Sequence, residues 1–176
     1  MNREINLIEE GYDLALRVGE LKDSSMVARP VGSFSLSVVA SPEYIKTHGR
    51  PKHPKDLTQY KCIINTLMKS PYRWPFQENG RNFSVKVNGK FDANEDFLLQ
   101  SFACSNLGIA YLPSYVVREK IAEGKLISLL PDFLPKPLPI SIVYPNRHLL
   151  GKAKRDLIEH LIMKSEEGIY SLGEGV

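Results

Sequence analysis

Asn94-Glu95-Asp96-Phe97-Leu98-Leu99-Gln100-Ser101-Phe102 leads into Asn106-Leu107-Gly108-Ile109-Ala110-Tyr111-Leu112-Pro113. The first half sets Phe97, Leu98, Ser101 and Phe102 at near-helical spacing. Asn94 reads as the N-cap, with Glu95 and Asp96 suited to the first turn. Asn106-Leu107-Gly108 reads as the exit, and Ile109 to Leu112 as a short strand. Pro113 then opens another helix, which runs through Ala122 and closes at Gly124. Helix, strand and helix in direct succession point to an α/β fold.

The same alternation extends in both directions. Asn6 to Glu10 reads as a short helical piece, Asp13 to Val18 alternates like a strand, and Gly19 to Arg29 is a polar loop. Phe34 to Ala40 is a more apolar strand. Ser41-Pro42-Glu43 opens a helix that ends near Gly49, and His53-Pro54-Lys55-Asp56-Leu57 suggests a further turn. Lys61 to Thr66 reads as a buried strand closed by Asn65 and Thr66. Asn79-Gly80, between Tyr72–Gln77 and Arg81–Val87, signals a hairpin, and Asn88-Gly89 a second turn. Lys125 to Leu130 is a strand candidate. The four prolines of Pro131 to Pro139 argue against a helix or a central strand, leaving a linker or crossover. Ile140 to Tyr144 is a strand. Gly151 to Lys164 is an amphipathic helix, with Leu157, Ile158, Leu161 and Ile162 on its inner face. Residues 166–176 read as a flexible tail.

Composition bounds the function. With 176 residues, 43% apolar and 24% charged, the chain can bury a core without disulfide or metal staples. A net charge of +3 with no dense basic run gives no footprint of a nucleic-acid arm. No apolar segment approaches the roughly 18 residues of a membrane span. Cys62 and Cys104 lie far apart in apolar segments and read as free thiols of a reducing compartment, so a cytoplasmic location is expected. No phosphate loop, zinc motif or nucleophile elbow occurs, and no metal or cofactor is expected. An enzyme is therefore disfavoured.

What remains is a set of polar residues at element ends. Ligands of open α/β sheets bind beyond the carboxyl ends of strands. Thr66, Asn94 and Tyr111 are therefore candidates to line one crevice. A helix starting at Asn94 offers unpaired N–H groups to an anion and hints at a carboxylate ligand.

Asn6-Leu7-Ile8-Glu9-Glu10-Gly11-Tyr12-Asp13-Leu14-Ala15-Leu16-Arg17-Val18-Gly19 closely resembles a segment of LysR-type transcriptional regulators. Matching stretches follow in order: Asp23 to Arg29, Ala40-Ser41-Pro42-Glu43-Tyr44 with Gly49-Arg50-Pro51, and His53 to Leu57. Asn94-Glu95-Asp96, Gly108 to Pro113 and Tyr144-Pro145-Asn146-Arg147-His148-Leu149 complete the set. The resemblance implies the effector-binding domain, a type II periplasmic-binding-protein-like fold of two α/β lobes joined by two crossovers. Val31 to Ser41 and Pro135 to Tyr144 would be the crossovers. Residues 1–34 and 140–165 would form lobe one, and 35–139 lobe two. It also implies that the winged helix-turn-helix and the first strand–helix–strand of lobe one are missing, leaving that lobe incomplete.

A small-molecule effector between the lobes is then expected, with Thr66, Asn94 and Tyr111 in its pocket. Self-association through lobe one is expected, and promoter DNA is reached only through the missing N-terminal domain. The alternative is a solute-binding protein of the same fold working in transport.

Overall fold

The computed structural model describes residues 11–19, 26–144 and 151–166. The expected helix at Asn6–Glu10, the stretch from Pro145 to Leu149 and the tail beyond Glu166 lie outside these residues. The chain divides into two compact units: Ser35–Lys136, and the segments Met1–Phe34 and Pro137–Glu174 on either side of it. The return passage thus falls at Lys136–Pro137, ahead of the expected 139/140 boundary. The reason is that Leu138 and Pro139 already pair with Phe34 and Ser33.

The central unit is built on a five-stranded sheet. Its strands are β3 (Leu36–Ala40), β4 (Lys61–Asn65), β7 (Asn88–Ala93), β8 (Ile109–Pro113) and β9 (Ile127–Leu129), in the order β7-β4-β8-β3-β9. β4 runs parallel to both neighbours, β7 and β8, while β3 is antiparallel to β8 and β9. Both faces are covered, which is why these strands read as apolar runs rather than alternating ones. Helices α2 (Asp96–Cys104) and α3 (Ser114–Ala122) bury Leu99, Ala103, Val116 and Val117 against Val39, Ile63, Ala110 and Leu112. On the other face, Val38, Cys62, Ile64 and Tyr111 meet the hairpin formed by β5 (Arg73–Glu78) and β6 (Arg81–Lys86). The hairpin contributes Trp74, Phe76 and Val85, and turns at Asn79 and Gly80 with positive φ at both, as this pair favours.

Local signals hold at several elements. Ser41 caps α1 (Pro42–His48), its hydroxyl accepting from the Tyr44 N–H at 3.1 Å. His53 and Asp56 form a reciprocal cap on the 3-10 turn Pro54–Gln59. Asn88-Gly89 is not a turn. It begins β7, because the chain leaves the hairpin at Val87 and pairs straight on with β4. In that ladder Cys62 faces Gly89 and Ile63 faces Phe91, so Lys90 is a bulged residue on the sheet's outer edge.

The flanking unit carries the sheet β1-β10-β2, made of β1 (Ala15–Val18), β2 (Val27–Phe34) and β10 (Leu138–Tyr144), all antiparallel. Val27 to Arg29, expected in a loop, pair with β10. Pro139 lies inside the central strand of this sheet, contrary to expectation. It sits at the strand's start, where its carbonyl accepts from the Gly19 N–H at 2.8 Å. Helix α4 (Lys152–Glu166) packs Ile158, Leu161 and Ile162 with Ile142 and Tyr144. Leu157 is exposed instead, since it stands off the stripe that those three residues define. Leu16 and Val18 are exposed on β1, which pairs only with β10 among the described residues.

Two glycines let the central strands approach. A Cβ on Gly108 would lie 2.5 Å from the Lys61 carbonyl oxygen, and one on Gly89 would lie 2.6 Å from Ile64 and Tyr72. Gly108→Ala is expected to cost about 2 kcal/mol in urea unfolding, as overpacking against backbone does. Gly151→Ala, with nothing within 4 Å of its Cβ position, should cost only about 0.5–1 kcal/mol, the loss of a good N-cap on α4.

Candidate functional site

Three adjacent parallel strands, β7, β4 and β8, end side by side. The residues just past their ends are Asn94, Thr66 and Ser114. Thr66 is tied to the β7 end twice: its N–H and its hydroxyl both donate to the Ala93 carbonyl, at 2.9 and 3.2 Å. Thr66 and Asn94 are both exposed. The structure therefore brings these two expected residues together.

Tyr111 does not join them. It sits midway along β8, 1% exposed, stacked on Phe76 and tilted against Trp74. Its hydroxyl donates to the Pro75 carbonyl at 3.0 Å, and burial pushes its pKa up. It is a core residue pinning the hairpin, because alternation along β8 turns its side chain towards Trp74 and away from the strand end. The residue past the β8 end is Ser114, which was not among the residues expected there. The signal was there: Pro113 opens a helix with no side chain of its own to cap it.

The cap of α2 also differs from expectation. Glu95, not Asn94, is the N-cap, and its carboxylate accepts from the Phe97 and Leu98 N–H groups at 3.1 and 2.6 Å. The place that a ligand carboxylate would take at this helix end is thus filled by the protein's own. Asp96 adds a second acid, accepting from the Asn65 amide at 2.6 Å. Burial, together with the Glu95 charge, pushes the Asp96 pKa up. Asn65, almost fully buried, spends its other atom on the Leu67 N–H at 2.9 Å. This end of the site is electronegative.

The α3 end differs. Its N-cap is Pro113, which makes no side-chain cap bond. Ser114 there is linked to Ser35 and Ser37 at 2.8 Å each. Leu67, Phe97, Leu98 and Tyr115 are exposed apolar side chains next to these strand ends. The strand ends thus present hydroxyl and amide groups beside exposed apolar side chains. Among the described residues no cluster of three or more His, Cys, Asp and Glu could hold a metal ion. The Cys62 thiol is buried and pushed up to about 12, so it stays protonated.

Comparison with known proteins decides the family. The model of the LysR substrate binding domain matches residues 2–165. The chain belongs to the LysR substrate-binding-domain family. An uncharacterized HTH-type transcriptional regulator of Haemophilus influenzae is 36% identical over 149 residues, which is 85% of this chain and 52% of that protein. The HTH-type transcriptional regulator CrgA of Neisseria meningitidis is 36% identical over 159 residues, covering 90% of this chain and 53% of CrgA. The chain thus spans about half the length of the curated relatives it matches. Among solved structures, the CrgA regulatory domain superposes with a TM-score of 0.74 at 34% identity, over 93% of this chain and 80% of that one. Full-length AphB, the Vibrio cholerae virulence activator, gives 0.78 at 26% identity, over 92% and 54%. The fold is therefore the mixed α/β, type II periplasmic-binding-like fold of LysR-type regulatory domains. The LysR family match favours a regulator over a transport protein.

Two substitutions test the site's layout. Tyr111→Phe should cost about 1–2 kcal/mol by orphaning the Pro75 carbonyl. Asp96 is held above its ordinary value, so its ionisation opposes folding. Stability from this group is fully present below the unfolded carboxyl value and is lost as pH rises through the raised folded value. Asp96→Asn should therefore raise the urea midpoint relative to wild type at pH 7, and the difference should shrink as pH falls towards 4.

Proposed function

We propose that this chain is the effector-sensing part of a cytoplasmic LysR-type transcription regulator, and that it works by binding rather than catalysis. The family match over residues 2–165 is the observation that carries this reading. The strand-end set of Thr66, Asn94 and Ser114 supplies the ligand contacts. The relatives' HTH-type names support a parent protein that reaches promoter DNA through a separate DNA-binding domain. A bound effector would change transcription only through different affinity for two states of the regulator.

The polarity of the strand ends refines the effector class. Glu95 fills the α2 N-terminus, so a carboxylate group is better accommodated at α3, while the Glu95–Asp96 end suits a donor or cationic group. β1 pairs only with β10 among the described residues and exposes Leu16 and Val18, which supports self-association through the flanking unit.

A thermal-shift screen of small aromatic and aliphatic acids, amides and amines tests the reading. A true effector present at 100 times its Kd should stabilise the chain by about 2.7 kcal/mol. Thr66→Ala should weaken that binding, whereas Tyr111→Phe should leave it unchanged. No stabilisation by any class, or equal loss in both variants, would count against the site. In light scattering the chain should be larger than a monomer, and Leu16→Lys should shift it towards monomer.

A further inference from the structure

Trp74 is the only tryptophan in the chain. It lies on β5 opposite Val85, 0% exposed, with its side chain turned into the core beneath the hairpin. Its indole Nε1–H is fully buried and has no hydrogen-bond partner among the described residues. Buried polar groups elsewhere in the central unit are answered. Ser41 accepts from the Tyr44 N–H, and Asn65 donates to Asp96 and accepts from the Leu67 N–H. Gln100 donates to the Val116 carbonyl, and Tyr111 to the Pro75 carbonyl. A buried indole N–H ordinarily has an acceptor, because an unpaired donor bears the full cost of leaving water. Phenylalanine would fill the same apolar layer without that cost.

We propose that Trp74 is the donor of a buried acceptor site under the β5–β6 hairpin, and that the site takes one uncharged oxygen. The oxygen belongs to a trapped water or to a small neutral organic molecule; the chemistry is the same. The site is separate from the strand-end set and does not depend on the effector reading.

Three observations define the class. An indole nitrogen only donates, so the incoming atom is an acceptor. No Lys, Arg, Asp or Glu is buried among the described residues. A carboxylate or phosphate here would be stripped of water with no counter-charge, which selects a neutral group. The surroundings are apolar and include Ile64, Phe76 and Tyr111, so a close-packed interior admits only a small group. The rival partner is the face of the Tyr111 ring, whose centroid lies 5.4 Å from that of Trp74 at a tilt of 43°. Half-buried Met68 packs against the same cluster from the loop joining β4 to β5. Its unbranched thioether can move aside without disturbing the rings, which provides a way in.

A single tryptophan makes the test direct. Labelling the indole with nitrogen-15 gives one N–H signal, whose cross-peaks to water are recorded in NOESY and ROESY modes. The spectra are repeated with cyclohexanone, a neutral ketone, and with cyclohexanecarboxylate, its charged counterpart. A water cross-peak that changes sign relative to the diagonal between the two modes supports the site and identifies a bound water. A downfield move of the indole proton with cyclohexanone, and none with the carboxylate, supports it with an organic oxygen. The water cross-peak should survive in Tyr111→Phe; its loss there assigns it to relay through the phenol hydrogen and overturns the site. A cross-peak of unchanged sign means exchange with solvent, and also overturns it. So does an indole proton with neither a water cross-peak nor a response to the ketone, shifted upfield by the Tyr111 ring or not. An equal move with the carboxylate overturns the assignment of a neutral group.

Discussion

The close approach of Gly108 to the Lys61 carbonyl is the constraint on which the central unit rests. β8 can lie alongside β4 only because residue 108 has no side chain to hold the strands apart. Once β8 is in place, β4 has a parallel partner on each side, and three carboxyl ends finish at one margin of the sheet. Parallel strands buried on both faces need helical cover, which α2 and α3 supply. Each of these helices starts at that same margin. The location of the candidate site is thus a result of strand direction rather than of any single functional side chain.

The two helix starts, though neighbours, offer opposite chemistry. α2 is closed by Glu95, whose carboxylate holds the first N–H groups, and Asp96 deepens the negative character there. α3 begins at a proline and presents a serine. A ligand lying across the two ends would meet acceptors at one and donors at the other. That polarity would orient a small molecule before any apolar contact selected its shape. The exposed Phe97, Leu98 and Leu67 would then supply contact area.

Much of this was legible in the sequence where a local signal has one physical meaning. Asn79-Gly80 specified its hairpin because few other pairs accept positive φ at both positions, and Ser41-Pro42 specified a helix start. The family resemblance gave the class of fold. The misreadings share a cause. Asn94 and Glu95 are both able to cap, and local sequence does not rank them; in the fold Glu95 caps while Asp96 accepts from Asn65. Asn88-Gly89 looks like a turn, yet tertiary pairing with β4 drew it out into a strand. Its place near a strand end makes Tyr111 a candidate in the sequence, but the phase of alternation along β8 turns it into the core against Phe76. The positions of Thr66 and Asn94 were legible because they stand past the ends of strands that the sequence defined well.

The bulge at Lys90 has a bearing on how copies of this chain behave when crowded. A cross-β stack grows only if each added strand continues an unbroken ladder of backbone pairs. Lys90 interrupts that ladder on the outer strand and puts a charge at the break. The opposite margin ends on β9, only three residues long. A neighbour docking on either margin would find too little register to propagate. On both margins of the five-stranded sheet, backbone pairing with a further strand is thus limited to short stretches.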